Sequence, residues 1–259
     1  MSAYSPNPVA IVTGSSTGIG AEVACRLSTQ GYNVTLNCQT SESQARETAE
    51  RCTQGETLLC AGDIADDEVC RAMVESTRER WGRIDVLVNN AGMTRFAPAD
   101  DLDGLSKEDF DRIFSVNVTG HYQMTRAAAP LLRESDIASV VNMSSHSGFS
   151  GVGSSTAYAA AKGALNTLTL ALARALAPDI RVNAVCPGFV DTQWMSRNLQ
   201  ADDLAVFMER VAQISPLKRL VHAEDVAEAV CWFALGGQAI TGQLLVIDGG
   251  THLTIGSPI

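Results

Sequence analysis

Tyr158 and Lys162 stand four residues apart in the stretch "AYAAAKGAL", with only alanine between them. Alanine is the best helix former and takes little room. On a helix, positions i and i+4 share one face. The stretch therefore sets a phenol beside an ammonium group on a surface kept clear by small side chains. A free tyrosine titrates near pH 10 and is a reluctant base, but a nearby cation favours phenolate and lowers that value. Such a pair suits proton exchange with a hydroxyl or carbonyl oxygen. Taken alone, the same spacing also describes an ordinary surface contact. Ser144 and Ser145 end the stretch "SVVNMSS", and either carries a hydroxyl able to donate to a reacting oxygen.

A second constellation lies near the amino terminus. In "VAIVTGSSTGIGAEVACRL", a β-branched run meets Gly14, Gly18 and Gly20, and an amphipathic helix pattern follows. Glycine permits a tight turn and lets a phosphate approach bare backbone, while a helix start offers unpaired N–H groups and positive dipole. Ser16, Thr17 and Ile19 fill the same turn. Between a first strand and a first helix, this pattern points to a dinucleotide site.

The elements that must hold these groups alternate along the chain. Strand patterns occupy 9–13, 33–37, 56–61, 84–90, 139–144, 180–186 and 243–248. Helix patterns lie near 18–30, 41–53, 66–81, 106–133, 156–177, 202–213 and 223–235. Strands apolar on both faces, alternating with helices, imply a parallel sheet covered on both sides. The fold class is α/β: a single Rossmann-like doubly wound domain over 1–259, with a parallel sheet of about seven strands. An insertion at about 188–217 breaks the alternation just past a strand's carboxyl end, where open α/β sheets bind ligands. It reads as a substrate cover, with an ordinary surface helix pair as the alternative.

Composition narrows the function classes. The net charge of −10 argues against nucleic acid or an anionic membrane surface as partner. Seven cysteines without C-x-x-C spacing suggest neither a disulfide framework nor a zinc knuckle, and four scattered histidines show no metal spacing. The opening "MSAYSPNPVAIV" lacks the basic and apolar regions of a secretory signal. These readings point to a reduced, cytoplasmic, soluble protein. Neither a G-x-S-x-G elbow nor a Walker A lysine is present.

Taken in order, "TGSSTGIG" (13–20), "NNAG" (89–92), Asn117, Ser145, "YAAAK" (158–162) and "PGFVDT" (187–192) resemble the short-chain dehydrogenases/reductases, nearest to their β-ketoacyl-carrier-protein-reductase-like members. The likeness extends to the closing "ITGQLLVIDGG" (240–250). It implies an NAD(P)(H)-dependent oxidoreductase passing hydride between nicotinamide and a ketone or secondary alcohol. Tyr158 would then be proton donor or acceptor, and Lys162 would tune it and bind the nicotinamide ribose. Ser145 would hold the substrate oxygen, and Asn117 a water linking Lys162 to solvent. Asp63 would accept from the adenine amino group with Ile64 beside it, and Asn90, Ala91 and Gly92 would line the adenosine ribose. In "PGFVDT", Pro187 and Gly188 lead to Val190 and Thr192, which would hold the carboxamide. Asp63 as a helix cap, and the asparagines as strand ties, are the plainer alternatives.

A carboxylate at the end of the second strand usually accepts from the ribose 2′-OH and repels a 2′-phosphate. This chain has Asn37 followed by Cys38, Gln39, Thr40 and Ser41, so the acid is missing, which favours NADP(H); no arginine follows directly, which keeps NAD(H) open. Thr94, Phe96, His146, Phe149, Val152, Phe189, Trp194 and Met195 are expected to wall the substrate pocket. They suit an aliphatic, alicyclic or aryl ketone better than a polyol. Arg133 and Arg174 stand on the two long helices, where a carrier protein could dock. The resemblance also implies a homotetramer or homodimer joined through those helices and the "GQLLVIDGG" end. Two rival readings are a catalytically silent cofactor-binding scaffold and a nucleotide-sugar epimerase or dehydratase.

Overall fold

A computed structural model of the protein describes residues 5–196 and 201–254. The strands are β1 (Val9–Val12), β2 (Asn33–Cys38), β3 (Thr57–Ala61), β4 (Val86–Asn89), β5 (Ser139–Met143), β6 (Arg181–Pro187), β7 (Val190–Asp191), β8 (Val221–His222) and β9 (Leu244–Ile247). The helices are α1 (Gly18–Thr29), α2 (Glu42–Arg51), α3 (Asp67–Trp81), α4 (Lys107–Phe114), α5 (His121–Leu132), α6 (Ser147–Ser150), α7 (Thr156–Leu176), α8 (Gln193–Ser196), α9 (Ala201–Ile214) and α10 (Ala223–Leu235). Seven parallel strands form one sheet in the order β3-β2-β1-β4-β5-β6-β9. The strand order reverses between β1 and β4, and a crevice opens there at the carboxyl ends.

Period-two alternation sorts the strand residues onto two faces. Ala10 and Val12 join Val34, Leu36, Val86 and Val88 against Val23 and Leu27 of α1 and Val226, Val230 and Phe233 of α10. Ile11 turns the other way with Leu87, Val140 and Val182, meeting α3, α5 and α7 through Met73, Met124, Leu132 and Leu176. β1 and β4 are buried along their whole length. Burial on both faces is why their sequences read as unbroken apolar runs.

Three details differ from the sequence expectation. The helix expected over 106–133 is interrupted by a π-helical turn at Ser115–Gly120. Gly120 packs so closely on Ile64 that an added Cβ would lie 2.8 Å from the Ile64 carbonyl oxygen. Beside the main sheet, β7 and β8 form a two-stranded parallel pair, too short to announce itself in the sequence. The 188–217 insertion contains β7, α8 and α9, while residues 197–200 within it lie outside the described residues. Among the described residues, no helix is long and apolar enough to cross a membrane.

Candidate active site

The ends of β1, β2, β3, β4, β5 and β6 open onto one cleft of about 820 Å³. It runs from the glycine turn, past the β2 and β3 ends, to Ser145, Tyr158 and the β7–α8 segment. At one wall of this cleft the three glycines play different parts. Gly14 has φ +61°, and a Cβ there would lie 2.7 Å from the Ala91 Cα. At Gly20 it would lie 2.4 Å from both Asn90 Nδ2 and the Gly14 carbonyl oxygen. These two residues are glycine because the turn packs on the end of β4. Gly18 has φ +58° and nothing nearer than Thr192, at 3.6 Å, so backbone conformation is what demands glycine there. Thr17 is the N-cap of α1 yet makes no side-chain cap, and the first turn holds no acid. Uncapped N–H groups and a positive dipole thus face the cleft, as a phosphate site requires.

Asn37 and Asn90 hold this turn together. Asn37 Oδ1 accepts from the Gly14 N–H at 3.1 Å, and its Nδ2 donates to the Cys60 and Gly62 carbonyls, each at 3.1 Å. Asn90 Nδ2 donates to the Thr13 and Gly14 carbonyls, both at 2.9 Å. Asn89 donates across the sheet to Asn142 and Thr125. The tying role is therefore real, and Asn37, which also lines the cleft, has its amide engaged within the protein. The polar side chains open to the cleft at that strand end are Gln39, Thr40 and Ser41. Ser41 donates to the Ser16 hydroxyl at 2.7 Å.

Asp63 does not cap α3; Asp66 does. Asp63 Oδ1 accepts from Ala65 N–H, and Oδ2 accepts from Gln39 and Arg112. Ile64, Asn90, Ala91 and Gly92 also line the cleft. His121, which sequence reasoning passed over, is fully buried with Nε2 2.8 Å from the Ala91 carbonyl oxygen. Burial, aided by the Lys162 charge, pushes its pKa down to about 3, so the ring is neutral and donates through Nε2.

Ser155 caps α7 by accepting from the Tyr158 N–H, fixing the phase of the helix that carries Tyr158 and Lys162. Lys162 is buried; Nζ donates to the Met143 carbonyl at 2.8 Å and lies 5.5 Å from the centre of the Tyr158 ring. Asn117 is held by the π-helical turn, its Nδ2 donating to the carbonyls of Met93 and Ile113. Its buried Oδ1 has no partner. A Cβ on Gly92 would stand 3.0 Å from that oxygen and 3.9 Å from Lys162 Nζ, so the missing side chain leaves room between them. Ser145 Oγ accepts from the Ser147 N–H at 3.1 Å and bonds Tyr158, while the neighbouring Ser144 hydroxyl is committed to Asn166 at 2.6 Å. The chemical difference between two adjacent serines is thus decided by where each points.

The electrostatics depart from the expectation for the pair. Burial pushes the Tyr158 phenol up to about 12, opposed by its hydrogen bond with Ser145. Burial pushes the Lys162 ammonium down to about 7. Desolvation is the leading cause at both groups, with Lys162 Nζ 5.5 Å from the ring centre. The Tyr158 phenol is therefore protonated at neutral pH.

Aromatic rings line the opposite end. His146 meets Phe189 edge-on at 5.4 Å, and Phe189 meets Phe207 at 4.9 Å. Trp194 lies 5.9 Å from Tyr158. The His146 N–H donates to the Pro187 carbonyl, and burial lowers the pKa of its ring. Phe96, Met93, Gly188, Val190 and Thr192 complete this end. Phe207 was missed as a named wall residue, although its apolar position in the 202–213 helix pattern was visible. Phe149 and Val152 are exposed at 55% and 51% and do not line the cleft. Thr94 turns aside to share a hydrogen with Ser154 at 2.6 Å. The Met195 side chain lies outside the described residues. Arg133 is paired with Asp179 at 3.7 Å, and Arg174 is exposed. Among the described residues no cluster of ligands is arranged for a metal ion.

A parallel sheet with a glycine turn at its reversal point and a Tyr–Lys helix across the crevice defines a dinucleotide-dependent oxidoreductase. The sequence profile of a family described as enoyl-(acyl carrier protein) reductase matches residues 14–252. A Streptomyces violaceoruber protein named as a ketoacyl reductase of the granaticin polyketide synthase is 42% identical over 246 residues, covering 95% of this chain and 96% of its own. The 3-oxoacyl-[acyl-carrier-protein] reductase of a Synechocystis species is 34% identical, covering 93% and 96%. The crystal structure of a Burkholderia xenovorans protein described as a short-chain dehydrogenase/reductase superposes with a TM-score of 0.89 at 42% identity, covering 96% of this chain and 99% of that one. The chain belongs to the short-chain dehydrogenase/reductase family. It is an NAD(P)-dependent oxidoreductase acting between CH–OH and C=O.

Proposed function

We propose that the chain reduces a neutral, ring-bearing ketone to its secondary alcohol, with Tyr158 as proton donor and NADPH as the preferred reductant. The observation that carries this reading is the meeting of Tyr158, Ser145 and Lys162 on one wall of a cleft whose other end is an uncapped glycine turn. The Gly14, Ser16, Thr17, Gly18, Ile19 and Gly20 backbone would hold the pyrophosphate, Asp63 and Ile64 the adenine, and the Asn90–Gly92 backbone its ribose. Pro187, Gly188, Val190 and Thr192 would border the nicotinamide, which when bound supplies the hydride.

Tyr158, protonated at neutral pH as an ordinary phenol is, gives its phenolic proton to the carbonyl oxygen. The Ser145 hydroxyl donates to the same oxygen and orients it. Lys162 steadies the charge left on Tyr158. A water accepting from Lys162 and donating to the unpartnered Asn117 Oδ1 resupplies the proton. The aromatic walls formed by Phe96, His146, Phe189, Trp194 and Phe207 favour a flat, uncharged substrate.

Gln39, Thr40, Ser41 and Ser16 present amide and hydroxyl donors at the β2 end, while Asp63 is tied to Arg112 and Gln39. This supports NADP(H) over NAD(H). Apolar side chains exposed on α5 and α7, Tyr122 at 42% and Leu170 at 46%, support association of copies through those helices as a dimer or tetramer. A cytoplasmic setting accords with seven unpaired thiols.

The test is a panel of aryl, alicyclic and aliphatic ketones assayed with NADPH and NADH by loss of reduced-nicotinamide absorbance. Turnover of ring-bearing ketones is expected. Tight cofactor binding with no turnover across the panel would instead establish the silent-scaffold reading.

A further inference from the structure

Seven cysteines are spread through the chain, and two of them meet. Cys25, on α1, and Cys52, the residue that closes α2, lie with their sulfurs 3.9 Å apart, the Cys52 thiol directed at the Cys25 sulfur. Cys25 is half-buried and Cys52 buried, so one sulfur can be reached from solvent while the other waits behind it. We propose that Cys25 and Cys52 form an oxidation site for hydroperoxides, with Cys25 the attacking thiol and Cys52 the thiol that resolves it to a disulfide.

The surroundings favour thiolate at one sulfur only. The hydrogen bond from Cys52 and the nearby Arg51 guanidinium draw Cys25 down to about 7, against burial and the Glu22 carboxylate. The same pairing and burial push Cys52 up. Elsewhere burial raises every thiol: Cys60 to about 11, Cys70, Cys186 and Cys231 to about 12, and Cys38 in the same direction. Arg51 is itself paired with Glu22, so its charge is held beside the cysteines.

The chemistry balances with hydroperoxide as the sole oxidant. The Cys25 thiolate attacks one peroxide oxygen, the O–O bond breaks, and a sulfenic acid forms as the other oxygen leaves with a proton as water or alcohol. Cys52 sulfur then attacks the sulfenic sulfur and releases its proton, and the sulfenic oxygen departs as water. Two thiols lose two electrons, and the peroxide gains them. Closing the bond brings the sulfurs from 3.9 Å to about 2.05 Å, which draws the end of α2 toward α1. That movement bears on the glycine turn, because Thr48 of α2 donates to the Ser16 carbonyl at 3.1 Å and Ser41, just before α2, donates to the Ser16 hydroxyl. This coupling rests on reading the turn as the cofactor site; the thiol chemistry does not.

The experiment treats the full chain with hydrogen peroxide, blocks remaining thiols with N-ethylmaleimide and maps peptides by mass spectrometry. The expected result is loss of two of seven thiols and a dithiothreitol-reversible peptide linking Cys25 to Cys52. In Cys52→Ala, dimedone should trap a sulfenic acid at Cys25 with no cross-link. At neutral pH, Cys25 in untreated wild type should alkylate at least tenfold faster than any other cysteine. Peroxide that leaves the pair uncrosslinked, or a Cys25 no faster than its neighbours, overturns the proposal. Reduced and oxidised protein should differ at least threefold in Kd for NADPH, read by fluorescence titration. A clean disulfide with equal affinities refutes the link to the turn and leaves the oxidation site standing.

Discussion

The two ends of the cleft are built differently. At the cofactor end, Asn37 and Asn90 spend their amides on the glycine turn, and Gly14 and Gly20 touch neighbouring backbone too closely for any side chain. The turn itself is backbone held by side-chain hydrogen bonds from strand ends. At the aromatic end, His146, Phe189 and Phe207 meet ring to ring and Trp194 meets Tyr158, all from segments outside the main sheet. Side-chain ring contacts can be altered without touching the sheet, whereas at Gly14 and Gly20 any side chain would collide with neighbouring atoms. On the proposed function, the chain would fix its cofactor geometry on the sheet and leave substrate choice to side chains outside it.

Substitutions can break or sharpen that contrast. Tyr158→Phe sits where the ends meet; kcat should fall by about 10²–10⁴-fold, the range for a lost general acid, with cofactor Kd changed less than twofold. An unaltered kcat would remove the proton donor from the proposal. Gly20→Ala strikes the rigid end. Its Cβ would fall 2.4 Å from Asn90 Nδ2, and we expect about 2 kcal/mol lost in urea unfolding, together with cofactor affinity. A stable, fully binding variant would mean the turn yields more readily than its contacts indicate.

Phe207→Ala strikes the pliant end. It should raise KM for ring-bearing ketones about tenfold, roughly 1.4 kcal/mol, with aliphatic ketones and cofactor Kd little altered. Equal losses for all ketones would show that the ring shapes the cleft without selecting substrate. Gln39→Arg adds a cation at the β2 end and should raise preference for NADPH several-fold in competition assays; an unchanged ratio would place the 2′ contact elsewhere.

A last effect, read per pH unit, concerns Lys162. Its folded pKa, about 7, lies below its usual 10.5, so between those values the unfolded chain binds more protons than the native one. Stability from this group therefore rises with pH across that window and is absent below it. Compared with Lys162→Met by urea unfolding, wild type without cofactor should gain up to about 1 kcal/mol per pH unit above pH 7. Parallel pH curves would mean the lysine is not desolvated.

Much of this was legible in order and spacing. Alternating apolar strands and helix patterns gave seven strands in their places, and the glycine turn, Ser145, Tyr158 and Lys162 converge as their positions required. Illegible were the directions of side chains. Nothing in "LNCQTS" says that the Asn37 amide turns inward while Gln39 turns out, or in "GFSGV" that Phe149 and Val152 miss the cleft. The π-helical turn that aims Asn117 and the short β7–β8 pair leave no periodic trace.

By itself the sequence determined the doubly wound fold, because hydrophobic period is a property of the chain alone, and its ordered motifs carried the resemblance that implies hydride transfer. Tertiary structure alone decided which of two neighbouring serines meets Tyr158 and which is committed to Asn166. It also decided which way the charges shift: burial raises Tyr158 and lowers Lys162. Desolvation and hydrogen-bond partners depend on what packs around a group, and those neighbours come from distant parts of the chain.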